Sequence, residues 1–249
     1  MIVESFSRRV LAALRIVDGV TGQPVLSALS VSGSGTTWVR NRRGYYVLVD
    51  AVGLESHQTV LLEPPTDPTL GSITLVAYVV DPSGVYLSRK QSITLPRDPD
   101  PTHTGDSQSL FQPIKSRLYP SPTAPVSSAW AVIRATIVRE GSDEKLGGAL
   151  IRVLRATDGE VLARGLSDAR GEALVAVPGI PVTTWESSPG PVMGTEVEVQ
   201  VEVVVDPLAE IMPNPDELED NRVSLSSSQV VVKLASGRTV VRRLTVAIP

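Results

Sequence analysis

The segment TEVEVQVEVVVD (195–206) decides the fold class of this chain. Every second residue from 197 to 205 is valine, and the intervening positions from 196 to 202 are glutamate or glutamine. Such period-two alternation is typical of an antiparallel strand with one buried face and one solvated face. The segment therefore predicts a half-buried strand of an antiparallel sheet.

Cations follow this strand in the sequence. The C-terminal segment QVVVKLASGRTVVRRLTVAIP (229–249) indicates a hairpin with its turn at Ser236 and Gly237. We expect the hairpin to place its cations across from the acidic face of the valine strand, each pair contributing roughly a few tenths of a kcal/mol. These cations are Lys233, Arg238, Arg242 and Arg243.

Turn-forming residues divide the rest of the chain into short strands. The segment ATDGEVLARGLSDARGEALVAV (156–177) contains two glycine turns, at 157–160 and 168–172, between runs of valine, leucine and alanine. Near the N-terminus, VLAALRIVD (10–18) alternates and runs into the turn formers DGVTGQP, which favours a strand over a helix. Only 4% of the residues are aromatic and valine is abundant, so the composition also favours β-structure.

A chain of 249 residues is long enough for two domains of about 120 residues each. We predict a β-sandwich domain at 1–96, a proline-rich connector at 97–127 and a second β-sandwich domain at 128–249. Six prolines in the connector argue against helices and central strands there. Its apolar side chains either pack back onto a domain or dock onto a partner chain. The candidates for docking are Leu110, Phe111, Ile114, Leu118 and Tyr119.

The two halves of the chain contain segments of similar sequence. The segment RIVDGVTGQPVLSALSV (15–31) aligns with TIVREGSDEKLGGALIRV (136–153), and each has a strand end, a polar glycine turn and a second strand. Further on, NRRGYYVL (41–48) corresponds to DARGEALV (168–175), an arginine-glycine turn that leads into a strand. The same order of elements in both halves predicts two related modules.

These turns resemble those of transthyretin-like, carboxypeptidase regulatory-like β-sandwich modules. The resemblance implies an all-β chain of two antiparallel sandwiches, transthyretin-like or immunoglobulin-like, which usually serve as structural or docking appendages. In the second half the turn REGSDEKLGG departs from the family pattern because it lacks the proline. The matching residues are Asp18, Thr21, Gly22, Pro24, Asn41 and Gly44 in the first half, and Gly147, Gly148, Ala149 and Ser167 to Gly171 in the second.

Charge and cysteine content exclude several classes of function. The net charge of −4 and the pI of about 5.3 argue against general affinity for nucleic acid or acidic membranes. Without cysteine there is no disulfide, thiolate nucleophile or sulfur-ligated metal. We find no secretory signal pattern and no apolar run of about eighteen residues, so we expect a cytoplasmic protein without a transmembrane segment or cofactor.

The chemistry-bearing residues are few. His57 and His103 are the only histidines, and no G-x-S-x-G elbow accompanies them. We expect both to be exposed loop histidines. A hydrolase would require His57 beside a serine and an acid. The transthyretin-like hydrolases need several histidines, so we predict that the chain is not an enzyme.

Two charged segments remain. PNPDELEDN (213–221) is a solvated acidic loop, a calcium site or a docking loop for a basic partner, although it lacks EF-hand spacing. RNRR (40–43) is a small cationic cluster with only Tyr45 and Tyr46 as neighbouring aromatic residues, so we expect no nucleic-acid site.

These features predict a non-catalytic structural subunit of a larger, hetero-oligomeric assembly. A fainter resemblance, to modules of phage-tail-like contractile injection systems, suggests a cap, collar or baseplate component. The alternative is a carbohydrate- or ligand-binding module, which would need Trp38 or Trp185 exposed in a groove. Otherwise we expect all three tryptophans, Trp38, Trp130 and Trp185, in a core or at its rim.

Overall fold

The computed structural model describes residues 9–59, 65–181, 196–208 and 212–248. Within these ranges strands dominate and the helices are short, which confirms the all-β prediction. The strands are β1 (Ala12–Asp18), β2 (Ser30–Ser32), β3 (Thr36–Arg40), β4 (Tyr46–Ala51), β5 (Ile73–Val80), β6 (Arg89–Leu95), β7 (Ile114–Leu118), β8 (Ala131–Arg139), β9 (Leu150–Arg155), β10 (Val161–Leu166), β11 (Glu172–Val177), β12 (Val197–Val205), β13 (Ser226–Leu234) and β14 (Thr239–Val246). The helices are α1 (Glu55–Thr59) and α2 (Pro215–Asp220), and a 3-10 helix covers Pro101–His103.

The described chain divides into two compact units. The first contains residues within 1–17, 23–82 and 90–117, and the second contains residues within 18–22, 83–89 and 118–249. This division differs from the contiguous domains predicted at 1–96 and 128–249, because two short turns of the N-terminal half belong to the second unit.

The second unit contains a β-sandwich built from the sheets β10-β9-β12-β13 and β11-β8-β14. Side chains from β8, β9, β11, β12, β13 and β14 form one shared apolar core between these sheets. The valine strand behaves as predicted, since Val199, Val201 and Val203 are buried in that core while Glu198 is exposed. Burial of alternating valines on one face is therefore what joins the two sheets.

The C-terminal strands correct one prediction. β13 and β14 do not pair with each other: β13 pairs antiparallel with β12, whereas β14 runs parallel to β8 in the opposite sheet. Of the four cations, Lys233 alone pairs in register with an acidic residue of the valine strand, Glu198. Arg243 instead contacts Asp143. The turn at Ser236 therefore carries the chain from one sheet to the other, which the period-two pattern of the strands cannot reveal.

The first unit repeats this arrangement. Its sheets have the orders β3-β4-β1-β7 and β2-β5-β6. The run β4-β1-β7 corresponds to β11-β8-β14, and β2-β5-β6 corresponds to β9-β12-β13. The third strand differs, because β3 pairs with β4 whereas its counterpart β10 pairs with β9. The repeated strand order agrees with the internal echo in the sequence.

The predicted connector at 97–127 contains regular structure, which corrects the expectation of a strandless linker. β7 lies within it and is the last strand of the first sheet. Pro113 and Pro120 flank this five-residue strand, so the prolines end the strand without interrupting it. The first sandwich therefore extends about twenty residues beyond the predicted boundary at 96.

Candidate functional site

The apolar residues proposed to dock onto a partner are not equally accessible. Leu118 and Tyr119 are buried within this chain, and Tyr119 packs in a small cluster of the second unit. Leu110 and Ile114 are partly buried, whereas Phe111 is 54% exposed. The prediction is therefore wrong for Leu118 and Tyr119, because β7 and the residue after it supply core side chains. Phe111 keeps a surface on which a partner could dock.

The acidic segment 213–221 is not a solvated loop. It forms α2, which begins at Pro215 after the N-cap Asn214, whose side chain accepts a hydrogen bond from the backbone N–H of Asp216. Leu218 anchors the helix in the same small cluster as Tyr119. A group of at least three residues able to hold a metal does not occur within the described ranges, this helix included.

Arginines pair with two of the four carboxylates of α2, those of Asp216 and Glu219. Asp216 Oδ2 lies 2.6 Å from the Nη2 of the fully buried Arg89. Glu219 accepts hydrogen bonds from Arg164 Nε and Nη2 at 3.1 and 3.2 Å. Arg152 Nε lies 3.1 Å from Glu219 Oε1, in an ion-pair contact without hydrogen-bond alignment. Burial raises the pKa of Glu219, but the hydrogen bonds and charge of the arginines outweigh it and leave the pKa lowered.

The two histidines have different environments. His57 belongs to α1 and is buried, with Nε2 3.1 Å from the backbone oxygen of Pro68, so the expectation of an exposed histidine is wrong there. The cavity beside it has a volume of only about 10 Å³, room for about one water molecule. His103 is exposed, as predicted, and its Nδ1 lies 2.7 Å from Asp98 Oδ2.

Arg97 organises the segment that carries His103. Its buried guanidinium donates hydrogen bonds to the backbone oxygens of Ser107, Ser109 and Gln112 at 2.6 to 3.2 Å. Burial lowers the pKa of Arg97. The buried guanidinium thus fixes the backbone of the connection between β6 and β7.

The tryptophans named for sugar binding are used differently. Trp38 is half-buried, and its indole N–H donates a hydrogen bond to Thr36 Oγ1 at 3.0 Å. Trp130 is also half-buried and packs against a small cluster that includes Leu174. Trp185 lies outside the described residues. The ligand-binding alternative therefore stays a prediction.

The arginine-glycine turns of the two units have the same hydrogen-bond pattern. Asn41 Oδ1 accepts from the backbone N–H groups two and four residues later, at 3.0 and 2.9 Å. Asp168 Oδ1 does the same at 2.8 and 3.0 Å. Both turns need a glycine with positive φ, +84° at Gly44 and +70° at Gly171. The aligned segments of the sequence thus form turns with the same hydrogen bonds in both sandwiches.

A surface cavity of about 60 Å³ adjoins the first of these turns. Its charged lining consists of Arg15 from β1 and Arg43 from the turn, with Tyr45 beside them. Sequence reasoning noted Arg43 only within the RNRR cluster and missed Arg15, which the turn brings close. An alignment of the two turns could have indicated that Arg43 lacks acidic neighbours. The acidic Asp168 and Glu172 of the second turn correspond to the neutral Asn41 and Tyr45 of the first.

Two edge strands of the second sandwich present apolar side chains to solvent. β13 and β14 each lie at the end of their sheet, so one edge of each has no strand partner in the described part of the chain. Val231 on β13 is 58% exposed and Val241 on β14 is 69% exposed.

Comparisons with known proteins identify no family. No family model matches the chain, and a search of curated proteins finds no relative. A structure of the Bacillus anthracis TIE protein gives a TM-score of 0.30 at 10% identity, over 96% of this chain and 34% of that chain. The major pilin subunit BcpA of Bacillus cereus gives 0.27 at 11% identity, over 97% of this chain and 60% of that chain.

This chain thus spans about a third and about three fifths of those two structures. TM-scores this low support no inference about function. None of the helices in the described ranges has the length and hydropathy needed to cross a bilayer.

Proposed function

We propose that this chain is a non-catalytic structural subunit of a larger protein assembly, and that it joins its neighbours through sheet edges. The observation that carries the proposal is the pair of open edge strands β13 and β14, nine and eight residues long, with exposed Val231 and Val241. An open edge offers a row of backbone N–H and C=O groups to which another chain can add a strand.

Charges at the same edges give the docking its selectivity. Lys233 on β13 and Arg242 on β14 are exposed, whereas Arg243 on β14 is paired with Asp143. Cations on edge strands oppose indiscriminate pairing of identical edges because like charges meet. A neighbouring subunit with an acidic or neutral strand avoids that repulsion, so these edges suit a hetero-oligomer better than a self-assembled fibre.

In its more specific form, the proposal is a cytoplasmic cap, collar or baseplate component of a phage-tail-like contractile injection system. The resemblance of the turns to modules associated with such systems supports this form. Co-purification with the products of neighbouring tail-tube, sheath or ATPase genes is its direct test. Co-purification with unrelated proteins only would refute the specific form and keep the general one.

Charge substitutions at the two edges test the docking mode. We expect Val231→Lys combined with Val241→Lys to weaken co-purification with neighbouring subunits, because the two substitutions remove the apolar contact that the exposed valines offer to an added strand. Val223→Lys is the matched control, since Val223 is 90% exposed and lies outside the strands. Unchanged co-purification of the double variant would contradict docking through these edges.

A further inference from the structure

Arg170 in the second sandwich is neutralised within its own turn. Its Nη2 lies 3.1 Å from Asp168 Oδ2 and 3.3 Å from Glu172 Oε2. Both carboxylates come from positions that also shape the turn, two residues before and two residues after the arginine. A guanidinium held between two carboxylates has little residual attraction for an outside anion.

The first sandwich has the same turn without the acids. Asn41 stands where Asp168 stands, and Tyr45 stands where Glu172 stands. Asn41 keeps the two hydrogen bonds that shape the turn, so the backbone is preserved while the negative charge is lost. No carboxylate pairs with the Arg43 guanidinium within the ranges that the structure describes. The side chain is exposed at the cavity of about 60 Å³.

A second cation reinforces the difference. Arg15 lines the same cavity from β1, and the equivalent position in the second sandwich is Thr136. The equivalence follows from matching backbone hydrogen bonds. The Val25 N–H donates to the backbone oxygen of the residue after Arg15, and the Leu146 N–H donates to the backbone oxygen of the residue after Thr136. Arg15, too, has no carboxylate partner among the described residues. Two guanidinium groups without a carboxylate partner among the described residues therefore line this cavity, whereas the corresponding turn of the other sandwich has one arginine, which is neutralised.

Arg40, from the same cluster, is already engaged. Its Nη2 donates to the backbone oxygen of Leu26 at 2.7 Å, and its guanidinium lies 5.8 Å from the ring centre of Tyr46. That contact supports Leu26, whose side chain lines the cavity and is 79% exposed. The second sandwich has Gly147 at this position. The first sandwich thus adds an apolar wall as well as charge.

We propose that this cavity binds a carboxylate side chain, Asp or Glu, on an acidic segment of a neighbouring protein subunit. The proposal rests on the proposed function and names the chemistry of one partner. A guanidinium group can bind a carboxylate with two parallel hydrogen bonds. Leu26 and Pro24 provide the apolar wall that contacts the aliphatic part of such a side chain. A carboxylate with its methylene group needs more room than one water molecule, and about 60 Å³ supplies it.

Peptide titration of the full chain tests the site without its natural partner. The probe is the peptide acetyl-GELEG-amide, with acetyl-GQLQG-amide as the neutral control, added to ¹⁵N-labelled protein. We expect the glutamate peptide to shift the Gly44 amide and the Arg43 Nε–H signals, and the effect to weaken as salt is raised. Arg43→Gln should weaken binding about two- to fivefold, the range for one exposed ion pair. Arg170→Gln in the second sandwich should leave it unchanged.

A turn exchange provides the sharper variant. Asn41→Asp with Tyr45→Glu gives the first turn the two acids of the second, while Asp keeps the oxygen that shapes the turn. We expect this double variant to weaken binding at least as much as Arg43→Gln, because Arg43 is then neutralised internally and the two added carboxylates repel the glutamate peptide. An unchanged spectrum elsewhere shows that the variant is folded.

Several outcomes would overturn the proposal. They are equal binding of the neutral peptide, unchanged binding after Arg43→Gln, preferential binding of inorganic phosphate, and no shift at about 10 mM glutamate peptide. Failure of the peptide with intact co-purification of neighbouring subunits would refute the cavity alone. Peptide binding without co-purification would refute the proposed function alone.

Discussion

Replacing Glu219 by Gln tests whether α2 is held by charge. Glu219 contacts Arg164 and Arg152, and Leu218 beside it is buried. Gln keeps the size of the side chain and removes the charge that both arginines face. We therefore expect destabilisation of the second unit without a change of fold.

The magnitude follows from burial. Exposed ion pairs contribute about 0–1 kcal/mol, whereas breaking a fully buried pair costs about 3–5 kcal/mol. The side chains of Glu219, Arg152 and Arg164 are 22%, 9% and 31% exposed, between these limits. Arg152 retains its second partner, Glu202, which reduces the loss. We expect a decrease of about 2 kcal/mol in the free energy of unfolding, or about 4–8 °C in Tm for a unit of this size.

Urea and thermal unfolding followed by circular dichroism measure the change. Asp220→Asn is the matched control, since Asp220 is exposed on the same helix and makes no ion pair with a described residue. The control should stay within about 0.5 kcal/mol of the wild type. Equal effects of the two substitutions, or none for Glu219→Gln, would refute the reasoning that paired charges hold α2.

The pH dependence follows from the lowered pKa of Glu219. A carboxyl group whose pKa is lower in the folded state contributes stability above its ordinary value near 4.5, and that stability is lost as the pH falls through the folded value. The stability difference between the wild type and Glu219→Gln should therefore narrow below about pH 4.5. A difference that is constant down to about pH 2 would contradict the assignment.

Three further predictions concern the turns and the β6–β7 connection. Gly171→Ala should lower the free energy of unfolding by about 2–4 kcal/mol, because the added Cβ would lie 2.7 Å from a backbone oxygen of β8. Gly159→Ala, where the added Cβ meets open space, should lower it by about 1 kcal/mol, and chemical denaturation measures both changes. The hydrogen bond that the His103 ring donates to Asp98 raises the pKa of His103, so the stabilisation from this pair is present at low pH and lost as the pH rises through that raised value. Asp98→Asn should lower the pKa of His103 in an NMR titration. Arg97→Met should expose the connection between β6 and β7 to limited proteolysis, while the rest of the chain stays protected.

Period-two alternation and turn chemistry predicted most of the fold. The valine strand and the strand at the N-terminus are where the pattern places them. The sheet change between β13 and β14 could not be predicted, because alternation identifies the buried face of a strand but not its neighbour. β7 was hidden for a related reason, since its flanking prolines mark a loop as readily as a strand end.

The charged groups were harder to predict than the strands. PNPDELEDN (213–221) is acidic enough to resemble a solvated loop, and its arginine partners are distant in sequence, at positions 89, 152 and 164. Such long-range pairs leave no local pattern. The charge difference at Arg43, in contrast, could be predicted from the aligned turns, because Asn41 and Tyr45 stand where the second turn has two acidic residues.

The mass of the native particle tests whether this chain is a subunit of a larger protein assembly. Native mass spectrometry of this chain, purified from its own cells under mild conditions, measures which proteins it binds and in what ratio. We predict a hetero-oligomer well above the 26.5 kDa of one chain, with dissociation at high salt. A single species at 26.5 kDa, with no bound protein, would contradict it.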